Sequence, residues 1–358
     1  MEKLYVIAGE PSGDFLGAEA LKNLKKTSNL EIRGVGGGLM TSEGLKSLFD
    51  IKKISVGGLW EVIPHIFKIK KIIDNTVDDI IKTNPDVLFT IDSPGFCFRV
   101  AKLVRKKNPK IKLIHLVAPS VWAWRAGRAA KLAKLYDQLL TLFDFEPKYF
   151  TKHGLKTIFV GHPAIDVFQE SNENKSDTIL ILPGSRIQEI TSLLPIFLES
   201  LKDINVKRFV IPSLPHLEPI IKTITKDRNI DIVSSEVEKA KLYKSAKLAI
   251  VASGTATLQL ALSGCPMIVC YKLSGISYRI VKSLVKVKYI SLVNIILNKT
   301  VVPELIQDEC NAKSITNTIN NLNYRYQIEE FKNLRNRLKP IDLTPSEKIA
   351  ETILTLLH

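Results

Sequence analysis

Short apolar runs of four to seven residues recur along the chain, each followed by a turn and then by a longer stretch with helical spacing. The runs predict strands at Leu4–Ala8, Ile32–Val35, Val87–Ile91, Ile111–Val117, Gln138–Leu142 and Thr157–Val160. After a polar stretch, Gln169–Asp177 (QESNENKSD), a second set follows: Thr178–Leu182, Arg208–Ile211, Ile230–Val233, Leu248–Ala252 and Met267–Tyr271. Strands alternating with helices mean parallel sheets with helices on both faces. The break near residues 162–177 divides the chain into two Rossmann-like α/β domains facing a cleft, 1–165 and 166–340. A last helix, 341–358, is expected to pack back on one of them. One uncharged stretch, Leu248 to Tyr271, is long enough to span a bilayer. Ser253, Gly254, Gln259, Ser263, Gly264 and Pro266 punctuate it, so it predicts strand–loop–helix–loop–strand instead.

Composition changes this picture in two places. The chain has 358 residues, too many for one comfortable core, and 51 Lys+Arg against 36 Asp+Glu give a formal charge of +15. That excess suits an anionic partner, a phosphorylated substrate, a nucleic acid or an acidic membrane, or else simply reflects a Lys-rich, AT-biased proteome. The basic residues are dispersed and no nucleic-acid-binding motif is visible, so no nucleic acid is expected. The four cysteines, Cys97, Cys265, Cys270 and Cys310, lack ligand spacing, which argues against a zinc site and for a reducing compartment. The start MEKLYVIAGE is too short in apolar residues for a signal peptide. GVGGGLM (34–40) fails the dinucleotide fingerprint because Leu39 stands at the third glycine, and no P-loop motif occurs.

The candidate chemistry lies where strands end. AGEPSGD (8–14) leaves the first strand through Glu10, Ser12, Gly13 and Asp14, ahead of a helix predicted over Leu16–Lys26. TIDSPGF (90–96) puts Asp92 at the tip of an apolar strand, where a half-desolvated carboxylate suits a general base or caps the helix near Phe96. VAPSVWAWRAGR (117–128) sets Trp122 and Trp124 beside Arg125 and Arg128. That arrangement suits a sugar face, an acyl chain or a phosphate, or else a core tryptophan pair with solvated arginines. His162, in VGHPAID (160–166), is either a hydrogen-bonding partner for a diphosphate or sugar hydroxyl, or structural. ILPGSRIQEI (181–190) and VASGTATLQLAL (251–262) each run strand, small-residue turn, helix. Arg186 in the first, and Ser253, Gly254 and Thr255 in the second, read together as two halves of a diphosphate site, or each alone as plain helix capping. LWEVIPHIFKIKKIIDN (59–75) combines Trp60, Ile63, Ile66, Phe67 and Ile69 with Lys68, Lys70 and Lys71. Exposed, it docks on an anionic bilayer; buried, it is a core helix with a basic face.

Together these stretches resemble one family, the lipid-A-disaccharide synthases, bacterial glycosyltransferases of the two-domain GT-B type. AGEPSGDFLGA (8–18), GVGG with Met40, GGLWEVIP (57–64), PDVLFTIDSPGF (85–96), PSVWAWRAGR (119–128), FVGHPAID (159–166), ILPGSR (181–186), ASGTATL (252–258), PMIVCYK (266–272) and LVKVKYISLVN (284–294) carry the resemblance, in order along nearly the whole chain. It implies transfer of 2,3-diacylglucosamine from its UDP derivative to 2,3-diacylglucosamine 1-phosphate (lipid X), with inversion and no metal or other cofactor. The partners implied are these two substrates and the anionic inner-membrane surface, on which the enzyme would sit peripherally from the cytoplasm; a homodimer stays open. By the same resemblance Asp92 would be the base on the acceptor 6-hydroxyl, with Glu10 beside it. Ser12, Gly13, Asp14, Trp122, Arg125 and His162 would line the acceptor side. Arg186, Ser253, Gly254, Thr255, Gln259 and Asn294 would hold UDP. The chain departs from the family at Gly95 and Gln259, where Asp and Glu are usual, and at Ser283 and Val293, where Arg and Pro are. The remaining basic residues there are Lys282, Lys286 and Lys288. The rival on the same fold is another UDP-sugar transferase or an epimerase.

Overall fold

Strand β1 (Lys3–Ala8) shows why a parallel sheet forms: every residue from Leu4 to Ala8 is buried, and alternate side chains enter different cores. Tyr5 and Ile7 join Leu88, Val100 and Leu113 on one face, while Leu4, Val6 and Ala8 join Leu21, Phe89 and Ile114 on the other. A strand buried on both faces needs helices on both. The computed structural model describes residues 1–54, 66–169, 175–226, 228–273 and 288–357.

The chain divides into two compact units, Met1–Pro163 with Leu338–His358, and Ala164–Arg337. The first contains β1, β2 (Glu31–Val35), β3 (Lys46–Ser47), β4 (Val87–Ile91), β5 (Lys112–Leu116), β6 (Gln138–Thr141) and β7 (Lys156–Phe159) in the order 3-2-1-4-5-6-7, all parallel. The second contains β8 (Ser176–Leu182), β9 (Arg208–Pro212), β10 (Asp231–Val233), β11 (Ala246–Ala252), β12 (Met267–Tyr271) and β13 (Glu304–Ile306) in the order 10-9-8-11-12-13, again all parallel. Both are doubly wound sheets. Each has a topological switch point where the strand order reverses, between β1 and β4 and between β8 and β11. In such sheets ligands bind outside the carboxyl ends of the strands at that point.

All eleven strands expected from the sequence are present, with ends shifted by at most two residues; β3 and β13, of two and three residues, are additional. The uncharged stretch resolves into β11, the helix Thr255–Leu262 and β12. Among the described residues no helix is long and apolar enough to cross a membrane. The helix expected over Leu16–Lys26 begins instead at Pro11 and runs to Thr27. Proline is favoured in a helix's first turn because it needs no N–H partner there, so the turn-like residues of AGEPSGD are already helical. At the far end, the helix Tyr324–Leu338 lies almost wholly in the second unit. Pro345–Leu357 packs against Pro11–Thr27 in the first, burying Ile349, Ala350 and Ile353. Of the stretch 59–75, residues 59–65, including Trp60 and Ile63, lie outside the described residues. The helix Ile66–Thr83 follows; Ile69 leans on the core while Lys68, Lys70 and Lys71 are exposed.

Candidate functional site

The first switch point is built from the ends of β1 and β4. Gly9 passes so close to the β4 tip that a Cβ there would lie 2.3 Å from Ser93 Oγ, and only glycine permits the approach. Glu10 is the exposed N-cap residue of the Pro11–Thr27 helix. Ser12, in that helix's first turn, donates its hydroxyl to Asp92 Oδ2 at 3.2 Å, which ties the two strand ends together. Asp92 and Ser93 both have positive φ, 51° and 44°. Left-handed backbone in two successive non-glycine residues costs energy and persists where the surroundings enforce it. It lifts the half-buried Asp92 side chain out of the strand's alternation. The helix that follows starts at Pro94 with Ser93 at the N-cap position, so Asp92 is not its cap.

Two residues expected to line the acceptor side turn inward. Asp14 is buried, and its carboxylate accepts N–H bonds from Gly37 (2.8 Å), Leu39 (3.0 Å) and Met40 (3.1 Å). It caps the short helix Gly38–Ser42, which also explains the glycine run: a Cβ on Gly37 would stand 2.5 Å from Asp14 Oδ2. Gly13 is buried, and a Cβ there would stand 3.3 Å from the Ile91 carbonyl oxygen.

The ends of β5, β6 and β7 form an aromatic ladder. Trp122 meets Phe145 edge-on, Phe145 stacks on Phe143 at 5.7 Å, and Phe143 stacks on His162 at 6.2 Å. Below them lies Glu146, a buried carboxyl absent from the sequence-based candidates. It accepts from Trp122 Nε1 (3.3 Å) and the Phe143 N–H (3.2 Å). Burial pushes its pKa up to about 8, although these donors pull the other way. Burial likewise lowers His162 to about 4, keeping the ring neutral. The tryptophans are therefore not a core pair: Trp122 is half-buried and anchored, whereas Trp124 is 38% exposed. The guanidinium carbons of Arg125 and Arg128 lie 4.3 and 5.0 Å from the Trp124 ring centroid.

The second switch point has a different chemistry. After β8, Glu189 accepts the N–H of Ser185 in the Pro-Gly-Ser turn (3.0 Å) and that of Arg186 just after it (3.3 Å), and pairs with Arg186 Nη1 at 3.1 Å. That corner, read from the sequence as open to phosphate, is thus filled by the chain's own carboxylate. The Arg186 side chain remains 75% exposed. After β11, Ser253 Oγ donates to the Ile290 carbonyl at 2.9 Å. Gly254 and Thr255 are exposed at the start of the Thr255–Leu262 helix, and the space where a Gly254 Cβ would sit is open. Gln259 is half-buried one turn further on. Asn294, expected near the nucleotide, is fully buried and fully employed. It donates to the Val302 carbonyl and Glu304 Oε1 and accepts from the Val301 and Val302 N–H groups, all within 3.0 Å. Lys282, Ser283 and Lys286 lie outside the described residues. Among the described residues no group of three His, Cys, Asp or Glu side chains is placed to hold a metal ion.

Solved structures share this two-domain architecture. The chain is similar to the UDP-GlcNAc 2-epimerase of Neisseria meningitidis, solved bound to UDP-GlcNAc, with a TM-score of 0.68, 15% identity and coverage of 99% of this chain and 100% of that one. It is also similar to MurG of Acinetobacter baumannii, with a TM-score of 0.59, 14% identity and coverage of 99% and 100%. Such likenesses show the GT-B-type fold alone. Sequence relatives go further. The chain is 42% identical to the lipid-A-disaccharide synthase of Rickettsia akari over 375 aligned positions, covering 99% of this chain and 96% of the relative. It is 45% identical to that of Rickettsia bellii over 339, covering 90% and 89%. The model of the lipid-A-disaccharide synthetase family matches residues 4–348, and with these relatives it establishes that the chain belongs to that family.

Proposed function

We propose that this UDP-sugar-dependent glycosyltransferase moves 2,3-diacylglucosamine from UDP-2,3-diacylglucosamine to the 6-hydroxyl of 2,3-diacylglucosamine 1-phosphate. The observation that carries the reading is the family match across residues 4–348. The geometry of the first switch point supports the chemistry. Asp92, oriented by the Ser12 hydroxyl, takes the proton of the acceptor 6-hydroxyl as its oxygen bonds to the anomeric carbon. The bond from that carbon to the diphosphate oxygen breaks on the opposite face, so the configuration inverts and UDP leaves with the electron pair. Glu10 stands exposed beside this point as a second polar contact. Trp122, Arg125 and His162 belong to the acceptor-side loops.

The leaving diphosphate needs positive potential that is already in place. The exposed Arg186 guanidinium and the amino end of the Thr255–Leu262 helix, reached past Gly254, are suited to supply it. Ser253 fixes the loop, and Gln259 offers an amide where the family's usual acid would sit. The lipid substrates and the +15 charge fit work on the anionic inner-membrane surface.

Release of UDP by the purified protein in neutral detergent, with and without acceptor, tests the reading. The expected result is acceptor-dependent release with a disaccharide 1-phosphate seen by mass. UDP release without acceptor and with no disaccharide, or an epimerised UDP-sugar, would refute it.

A further inference from the structure

The loop after β5 holds two cations and no acid. Arg125 and Arg128 both lie against the exposed ring of Trp124, and the Arg128 N–H donates to the Arg125 carbonyl at 3.0 Å, which fixes their spacing. Among the described residues no carboxylate pairs with either guanidinium, although Arg105 and Arg186, elsewhere in the chain, each have one. Arg125 also has φ of 52°, the left-handed region. Partial burial and the charge of Arg125 both make Arg128 a weaker base than usual. Two like charges are thus held together on one ring, on strained backbone, beneath which Trp122 is anchored to Glu146. Such a pair is poised for a compact ligand of about two negative charges: a phosphomonoester carries ≈ −1.5 to −2 near neutral pH and offers three acceptor oxygens to guanidinium forks.

We propose that Arg125 and Arg128, stacked on Trp124, form a phosphomonoester site that takes the 1-phosphate of the acceptor sugar. This rests on the transferase reading above and adds to it the group by which the acceptor is recognised. The site makes the enzyme selective for a phosphorylated acceptor over the free sugar. It also sets the phosphate end of the acceptor against the loop after β5 and leaves the 6-hydroxyl end for the neighbouring strand tip. Trp124 supplies a face on which the guanidinium planes lie, a geometry lysine cannot reproduce.

The test is a cycle of two variants and two acceptors in neutral micelles. Wild type, Arg125→Gln and Arg128→Lys are assayed with 2,3-diacylglucosamine 1-phosphate and with 2,3-diacylglucosamine. Each variant should raise KM for the phosphorylated acceptor by about 10–100-fold, the loss expected for a charge-assisted hydrogen bond, with KM for the UDP-sugar unchanged. On the unphosphorylated acceptor each variant should lose much less, so that the preference for the phosphorylated acceptor falls by about 10–100-fold. Equal losses on both acceptors, or no loss on the phosphorylated one, would overturn the site while leaving the transferase reading intact. Normal kinetics in micelles together with lost binding to vesicles of anionic phospholipid would assign the arginines to the membrane and also overturn it. If wild type turned over neither acceptor, the transferase reading would fail. Tryptophan emission titrated with glucosamine 1-phosphate would then decide the site: a saturable change abolished by Arg125→Gln upholds it, and no change refutes it.

Discussion

The two sheets share one strand order around their switch points and differ in what they put there. At the first, between β1 and β4, the tips carry acids, Glu10 and Asp92, on backbone forced into the left-handed region at Asp92 and Ser93. At the second, between β8 and β11, the tips carry Gly254, Thr255 and an exposed arginine, and the one acid, Glu189, is taken up by local N–H groups and that arginine; the positive φ there belongs to Gly184, which bears it without strain. A carboxylate gathers protons and repels anions, while a bare helix start with a guanidinium does the reverse. On the proposed reading the same topology serves a proton acceptor in one unit and an anion cradle in the other, and an inverting transfer needs one of each.

The largest effect is expected where this contrast is sharpest. Asp92→Asn keeps the size and the Ser12 contact but cannot take a proton, so turnover should fall about 10²–10⁴-fold, with the thermal midpoint unchanged within a degree or two. Initial rates at saturating donor and acceptor, beside a melting curve, check it; an undiminished rate would remove the carboxylate from the chemistry.

A smaller effect separates Glu146, the buried acid of the first unit, from Asp92. With a folded value near 8 against 4.5 unfolded, Glu146 holds a proton in the folded state that the unfolded chain has already released. Stability should therefore fall as pH rises between those values. His162, lowered from 6.5 to about 4, acts oppositely, adding stability as pH rises through that lower window. Above pH 6.5 only the Glu146 contribution remains of the two, on the order of 2 kcal/mol between pH 6.5 and 8. Glu146→Gln should flatten the decline of the melting temperature over that range, and an equally steep decline in the variant would contradict the assignment.

The smallest effect concerns Gly95, exposed in the first turn of the Pro94–Lys107 helix with open space where a Cβ would go. Gly95→Asp should stabilise by up to about 1 kcal/mol through helix propensity and the favourable charge at a helix start. Urea unfolding would show it as a raised midpoint at unchanged slope.

What the sequence made legible follows the physics of each element. The long strands are buried on both faces, so their apolar runs have clear ends; β3 and β13 are too short to make a run. Asp92 was visible because it follows such a run directly, and Arg186 because only the Pro-Gly-Ser turn separates it from one. Asp14 and Asn294 share the right stretches with them, but polarity alone does not tell a side chain that faces a ligand from one that satisfies buried backbone. Asp14 meets the N–H groups of Gly37, Leu39 and Met40, and Asn294 those of Val301 and Val302. Those partners lie 23–26 and 7–8 positions away, beyond any local pattern. Glu146 was hidden for the same reason: its stretch, LFDFEP, reads as a plain turn, and only folding brings Trp122 over it. The carboxylate of Glu189 was in plain view, three residues after Arg186, and its spacing from the helix start is the signal that marks it as a cap.

The division of labour between the two switch points is tested most directly by titrating UDP into two variants by calorimetry. Asp92→Asn should bind UDP as wild type does, and Arg186→Ala should bind it about 10–100-fold more weakly, as loss of a charged contact to a phosphate requires. Equal affinities in both variants, or a loss in Asp92→Asn instead, would contradict the assignment of the nucleotide to the second unit.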